Sequence, residues 1–166
     1  MKDSIFLPAA IAGLAITVAF ALLGGVDSVL TRELLLIAVT AVAAFAAQAW
    51  TLRHHELAAG NSFGARFFTA MLSGAMTAGS HAAATWLYLA WINPARLERL
   101  YQEYLRRAEQ AAASVEQREQ VLAHAEQMRD FFLDPLSQAM MQFGTALIVV
   151  LLTALLAARL ARPRTS

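Results

Sequence analysis

The residues best placed to do chemistry lie in an apolar stretch near the middle of the chain. Thr69, Ser73, Thr77, His81 and Thr85 recur every fourth residue, with Ser80 and Tyr88 close by, and further on Gln138, Gln142 and Thr145 share one helical face. His81 is the only ionisable side chain near the middle of any long apolar segment, so Thr77, His81, Thr85, Gln138 and Gln142 form the candidate polar set. An imidazole so placed can relay a proton, contact a ligand or act as a gate, whereas a neutral ring hydrogen-bonded to a hydroxyl or a carbonyl is only a tie. Polar contacts between helices in lipid are worth about 0.6 kcal/mol on average, so the stripe alone does not require a transport pathway. The apolar segments contain no carboxylate, which leaves His81 without the companion that proton relays usually have.

Other chemical signals are weaker. Gly60-Asn61-Ser62-Phe63-Gly64 has the G-x-S-x-G form, but a nucleophile elbow needs a preceding strand and a base within reach, and here the motif joins two apolar segments. Asn61 or Ser62 as a helix cap fits better. His54-His55-Glu56 lacks the i, i+4 partner that would put two metal ligands on one helical face. His124 sits among Gln120, Glu119 and Glu126, the setting of a surface residue. With zero cysteines, thiolate metal sites, disulfides and thiol nucleophiles are excluded. A net charge of +1 argues against a nucleic-acid partner. The sequence therefore predicts no catalytic residue, no metal and no cofactor.

The elements that must hold the polar set are read from charge and hydropathy. Only 15% of the 166 residues are charged and 58% are hydrophobic, too apolar for an ordinary soluble domain. Charged residues leave four long gaps, residues 4–26, 34–52, 67–95 and 135–158. A helix needs roughly 20 apolar residues to cross a hydrocarbon core. The expected fold is thus all-α, an integral membrane four-helix bundle with spans near 4–26, 34–52, 66–92 and 135–159. Ala19-Phe20-Ala21 could end a cleaved signal peptide, but the apolar run continues to Val26 and favours a retained helix. Lys and Arg are split almost evenly between the two sides. The short loops hold Lys2, Arg53, Arg66, Arg159, Arg162 and Arg164, which favours both termini in the cytoplasm.

Residues 94–134 are the one hydrophilic excursion, expected to be extracytoplasmic. Asn93-Pro94 reads as an N-cap followed by proline at the first helical position, and Leu97, Tyr101, Tyr104, Ala108, Ala111 and Val115 form a stripe. Ser114-Val115-Glu116-Gln117 has the form of a capping box, predicting a turn near Ala113 and a second helix from Val115 to Phe132. One bent helix on the membrane surface is the alternative to this hairpin. Asp134-Pro135 repeats the cap-plus-proline device ahead of the last span.

Small residues are ordered too. Ala9, Gly13, Thr17, Ala21 and Gly25 recur at spacing four, as do Ala70, Gly74, Ala78 and Ala82, a pattern that packs helices within a bundle or joins two copies in a homo-oligomer.

Ser62-Phe63-Gly64-Ala65-Arg66-Phe67, a third span ending in Tyr88 to Ile92, Asn93-Pro94 opening an acidic and Gln-rich stretch, and Asp134-Pro135 before a last span closing on Arg159 together resemble the bacterial family known as domain of unknown function 4199. The resemblance covers roughly residues 5–162. It implies a small four-span protein of the bacterial inner membrane, with no assigned activity and no functional residues to transfer. Two roles follow. One is a non-enzymatic subunit or scaffold that docks a membrane protein partner through the hairpin or the small-residue faces. The other is a small transporter or lipid-handling protein built on the His81 stripe.

Overall fold

A computed structural model describes residues 5–26, 28–54 and 62–161, in which every regular element is helical. The elements are α1 (Phe6–Leu22), closed by a 3₁₀ turn (Leu23–Gly25), α2 (Val29–His54), α3 (Phe63–Leu87), ending in a π turn (Tyr88–Ile92), α4 (Ala95–Ala111), α5 (Val115–Gln127), α6 (Arg129–Leu133) and α7 (Pro135–Leu160). His55 and Glu56 of the candidate metal cluster, Gly60 and Asn61 of the G-x-S-x-G motif, and the terminal charges Lys2, Arg162 and Arg164 lie outside the described residues. Contacts divide the chain into one unit of residues 1–84 and 142–166 and another of residues 85–141.

In the first unit, α1, α2 and the larger parts of α3 and α7 pack through small side chains. Ala44 of α2, Ala78 of α3, and Ala146 and Val150 of α7 meet in one cluster, and Leu52, Ala70, Ala154 and Ala157 in another. The glycines of the two small-residue stripes serve this packing directly. A Cβ on Gly13 would lie 2.7 Å from the His81 backbone nitrogen and 2.8 Å from the Thr77 carbonyl oxygen, and one on Gly74 would strike Val150 and the Gln48 amide. Both stripes thus pack helix against helix within the chain. Gly25, at the end of the first stripe, faces open space.

The outward faces are apolar. Leu7, Ile11, Leu14, Val18 and Leu22 of α1 are all more than half exposed, as are Ile148, Leu152 and Leu156 of α7. Among the described residues three helical stretches, Phe6–Gly25, Leu30–His54 and Pro135–Leu160, are long and apolar enough to cross a membrane, with mean hydropathies of 2.3, 1.9 and 2.2. The sequence reading counts four. α3 has 25 residues and hence the length, but its hydroxyls and His81 dilute its hydropathy. Those polar groups point inward: Thr69, Ser73, Thr77 and His81 are at most 1% exposed.

Element boundaries depart from the charge-free windows in a consistent way. α2 starts at Val29, five residues before the window, because Ser28 caps it: the amide of Thr31 donates to the Ser28 hydroxyl and that of Arg32 to the Ser28 carbonyl. Charge ends an apolar window without ending the helix. Arg32 and Glu33 consequently belong to α2.

In the second unit, α5 and α6 lie against α4. The Tyr101 hydroxyl meets the Ala125 carbonyl and the Glu126 carboxylate, and the Tyr104 ring stacks on Phe132 with centroids 4.5 Å apart. Burial, and next the Glu126 carboxylate, raise the Tyr101 phenol above its ordinary pKa. Ser114 is the N-cap of α5, its hydroxyl accepting from the Gln117 amide while the Gln117 side chain accepts from the Ala113 amide. The ion pairs Arg107–Glu103 and Arg118–Glu109 lie on the surface, and His124 is exposed.

Two expectations are corrected. The second helix is not continuous to Phe132. It breaks at Met128, whose amide is shared between the carbonyls of His124 and Ala125, and α6 starts afresh. Asn93 does not cap α4 with its side chain. Its amide nitrogen donates to the Tyr88 hydroxyl and its amide oxygen accepts from Arg99, so only its backbone carbonyl serves the helix, accepting from Arg96. Asp134 does cap α7, accepting from the amides of Leu136 and Ser137 and from the Ser137 hydroxyl at 2.7 Å.

Candidate functional site

A hydroxyl inside an apolar helix keeps its proton satisfied by donating to the carbonyl four residues back, and α3 does so repeatedly: Thr69 to Ala65, Thr77 to Ser73, Ser80 to Met76. The oxygen lone pairs stay available, and helix partners use them. Thr51 of α2 back-bonds to Ala47 and meets the Ser73 hydroxyl at 3.0 Å. Gln48, fully buried, donates to the Val150 carbonyl of α7 at 3.2 Å, a carbonyl that Thr153 also engages. The Gln48 amide oxygen has no partner among the described residues.

His81 anchors a second cluster. Its Nδ1 lies 2.9 Å from the Thr17 hydroxyl of α1, which also reaches the Gly13 carbonyl at 3.0 Å, and the Gln142 side chain of α7 hydrogen-bonds the ring. A threonine hydroxyl has one proton and a neutral imidazole one donor. The tautomer sets the roles: with Nδ1 bare the Thr17 hydroxyl donates to it, and with Nδ1–H the ring donates to Thr17, whose own proton then goes to the Gly13 carbonyl or, at 3.3 Å, the His81 carbonyl. Close packing at Gly13 brings Thr17, one turn on, against the imidazole.

Beside the ring is a cavity of about 40 Å³, room for water by volume, lined by Glu33, Thr40, His81, Gln142 and Thr145 among apolar neighbours. Glu33 is half exposed, carrying an ion pair of 3.8 Å with Arg32, while Thr40 is buried two turns further along α2. This corrects the reading of His81 as a residue with no carboxylate nearby. Glu33 bounds a charge-free window of the sequence, yet it belongs to α2.

Of the five predicted polar residues, His81 and Gln142 are brought together, and Thr77 is buried on the same unit but spends its hydroxyl on Ser73. Thr85 and Gln138 are buried and belong to the second unit. Thr17, Gln48, Thr51 and Glu33 were not anticipated. Thr17 was visible as the one polar member of the first small-residue stripe, and Gln48 as the only amide in the second apolar segment. The Ser62 of the G-x-S-x-G motif is a helix cap, its hydroxyl accepting from the Ala65 amide. Among the described residues, no three His, Cys, Asp or Glu side chains gather as a metal site would require.

Residues 7–162 match the model of a protein family of unknown function, DUF4199, and the chain belongs to that family. No curated protein and no solved structure matches it.

Proposed function

We propose that this member of the DUF4199 family is a non-enzymatic, four-span protein of the bacterial inner membrane, with α1, α2, α3 and α7 as spans, both termini cytoplasmic, and residues 94–134 an extracytoplasmic helical hairpin. Its role is that of a membrane subunit or scaffold, docking a second copy or another membrane protein. The observation that carries this reading is the division of labour between faces. The Thr17 and Thr51 hydroxyls, the Gln48 amide nitrogen and the His81 imidazole reach neighbouring helices, whereas the outward faces present Leu, Ile and Val. In lipid, such internal polar ties hold a bundle together and the apolar exterior costs nothing. α3 becomes compatible with a span once its polar stripe is turned inward. Purification in mild detergent followed by intact-complex mass spectrometry tests the role: a second protein chain at fixed stoichiometry is expected, and a single chain carrying lipid alone counts against a scaffold.

The cavity lined by His81, Gln142 and Glu33 favours a second reading, a small transporter or lipid-handling protein that uses the polar stripe around His81. Loss of a physiological phenotype in His81→Gln, with melting temperature retained, would promote it over the first.

A further inference from the structure

At the end of the first unit where α2 closes and α3 begins, a groove of about 630 Å³ runs between α2 and α7. Phe45, Ala49 and Leu52 form one wall, Ala157 and Ala161 the other, and Arg53 stands at its end. From Phe45 to Arg53 is eight residues, about 12 Å of helix, close to the depth of one leaflet of a hydrocarbon core about 30 Å thick. Trp50, stacked on His54 in the same last turns of α2, is the kind of aromatic that marks the headgroup level. Arg53 is therefore placed where a phosphate would be and the groove where acyl chain would be.

A second cation lies at this end. Arg66, in the first turn of α3, has Nε and Nη1 buried with no hydrogen-bond partner among the described residues. Ala70, one turn along, belongs to the same apolar cluster as Leu52 and Ala157 of the groove walls.

We infer that this groove seats one glycerophospholipid with an anionic headgroup, its phosphate against Arg53 and its upper acyl chain along Phe45, Ala49 and Ala157. The volume lies within the range of small-molecule sites, and basic pockets between spans are a recurrent way to hold anionic lipid. The inference rests on the membrane-spanning reading above.

The test is native mass spectrometry of the purified full chain, titrated with phosphatidylglycerol or with phosphatidylcholine of the same acyl chains. One phosphatidylglycerol is expected to remain bound in preference to phosphatidylcholine. Arg53→Gln should weaken that retention about fivefold, the worth of one basic residue near an anionic surface. Ala49→Leu, which fills the groove, should weaken retention of both lipids. Arg159→Gln serves as a control, since Arg159 is exposed at the same end but does not line the groove. Equal retention of the two lipids, or equal losses from Arg53→Gln and Arg159→Gln, would overturn the seat in favour of a diffuse basic surface. Carbonate washing of membranes separates the two readings: a chain released by it defeats the membrane-spanning reading and the seat together, whereas a chain that stays while failing to discriminate lipids defeats the seat alone.

Discussion

At the scale of single residues, the His81 cluster behaves as a tie between three helices, since one ring touches Thr17 of α1 and Gln142 of α7 while standing on α3. Gln is long enough to keep one donor and one acceptor in that position, so His81→Gln should fold with a melting temperature near that of the parent and keep its phenotype. His81→Leu leaves Gln142 unpaired and should cost on the order of 1–2 kcal/mol. Thr17→Val removes the hydroxyl while keeping its shape, and a loss of about 0.6 kcal/mol is expected from the average for intramembrane polar contacts. Thermal unfolding in detergent measures all three. The Asp134 cap makes a different prediction. Hydrogen bonds from the Ser137 hydroxyl and amide hold its carboxyl below the usual carboxylate range, so its folded pKa is depressed. The stabilisation is then present above the ordinary carboxylate pKa and disappears as pH falls through the depressed value. Asp134→Asn, which still offers an acceptor oxygen, should retain more stability than Asp134→Ala near neutral pH. The gap between Asp134→Ala and the parent should shrink when melting is repeated in acid.

At the scale of elements, the close approach of α1 and α3 depends on Gly13 having no side chain. The atoms that a Cβ would meet are the His81 nitrogen and the Thr77 carbonyl, backbone groups that cannot swing aside, together with the Ser80 Cβ at 2.6 Å. Gly13→Ala should therefore push α1 away from α3 and cost about 1–3 kcal/mol, the usual range for overpacking. Gly79→Ala on α3 meets open space and should leave stability unchanged or raise it, because alanine is the better helix former. Equal melting shifts for the two variants would refute the close-approach account. Such seams were legible in sequence, since small residues at spacing four announce a packing face. The cap at Ser114 was legible as well, because its hydroxyl and Gln117 occupy fixed offsets from the first helical turn. The start of α2 was not. Charged residues mark where lipid exposure ends, but helix propensity and the Ser28 cap decide where the helix begins, and Glu33 was thereby hidden from the His81 site. The break at Met128 lacked a signal too, since neither Gly nor Pro stands there. The candidate site itself was half visible. A polar stripe shows which face of α3 turns inward, yet only tertiary packing decides that Thr17, rather than another hydroxyl, meets the imidazole.

At the scale of the whole molecule, the proposed four-span arrangement makes a definite statement about sidedness. If α3 crosses the membrane with α1, α2 and α7, the connection ahead of α3 and the turn between α4 and α5 lie on opposite sides. Ser62 and Ser114 report these two places, and both are exposed. The chain has no cysteine, so a single introduced cysteine is labelled without background. In the proposed orientation Ser62 lies on the cytoplasmic side. In intact cells stripped of any outer membrane, an impermeant maleimide should label Ser114→Cys and spare Ser62→Cys, and permeabilisation should expose both. Labelling of both positions before permeabilisation, or of neither, would mean that α3 does not cross. The hydrophilic excursion would then share a side with the connection, and only three helices would span, the number that hydropathy alone supports. Labelling of Ser62→Cys alone would keep four spans and invert the protein. The experiment thus separates the pass count, which rests on burial of the α3 polar stripe, from the orientation, which rests on the distribution of Lys and Arg.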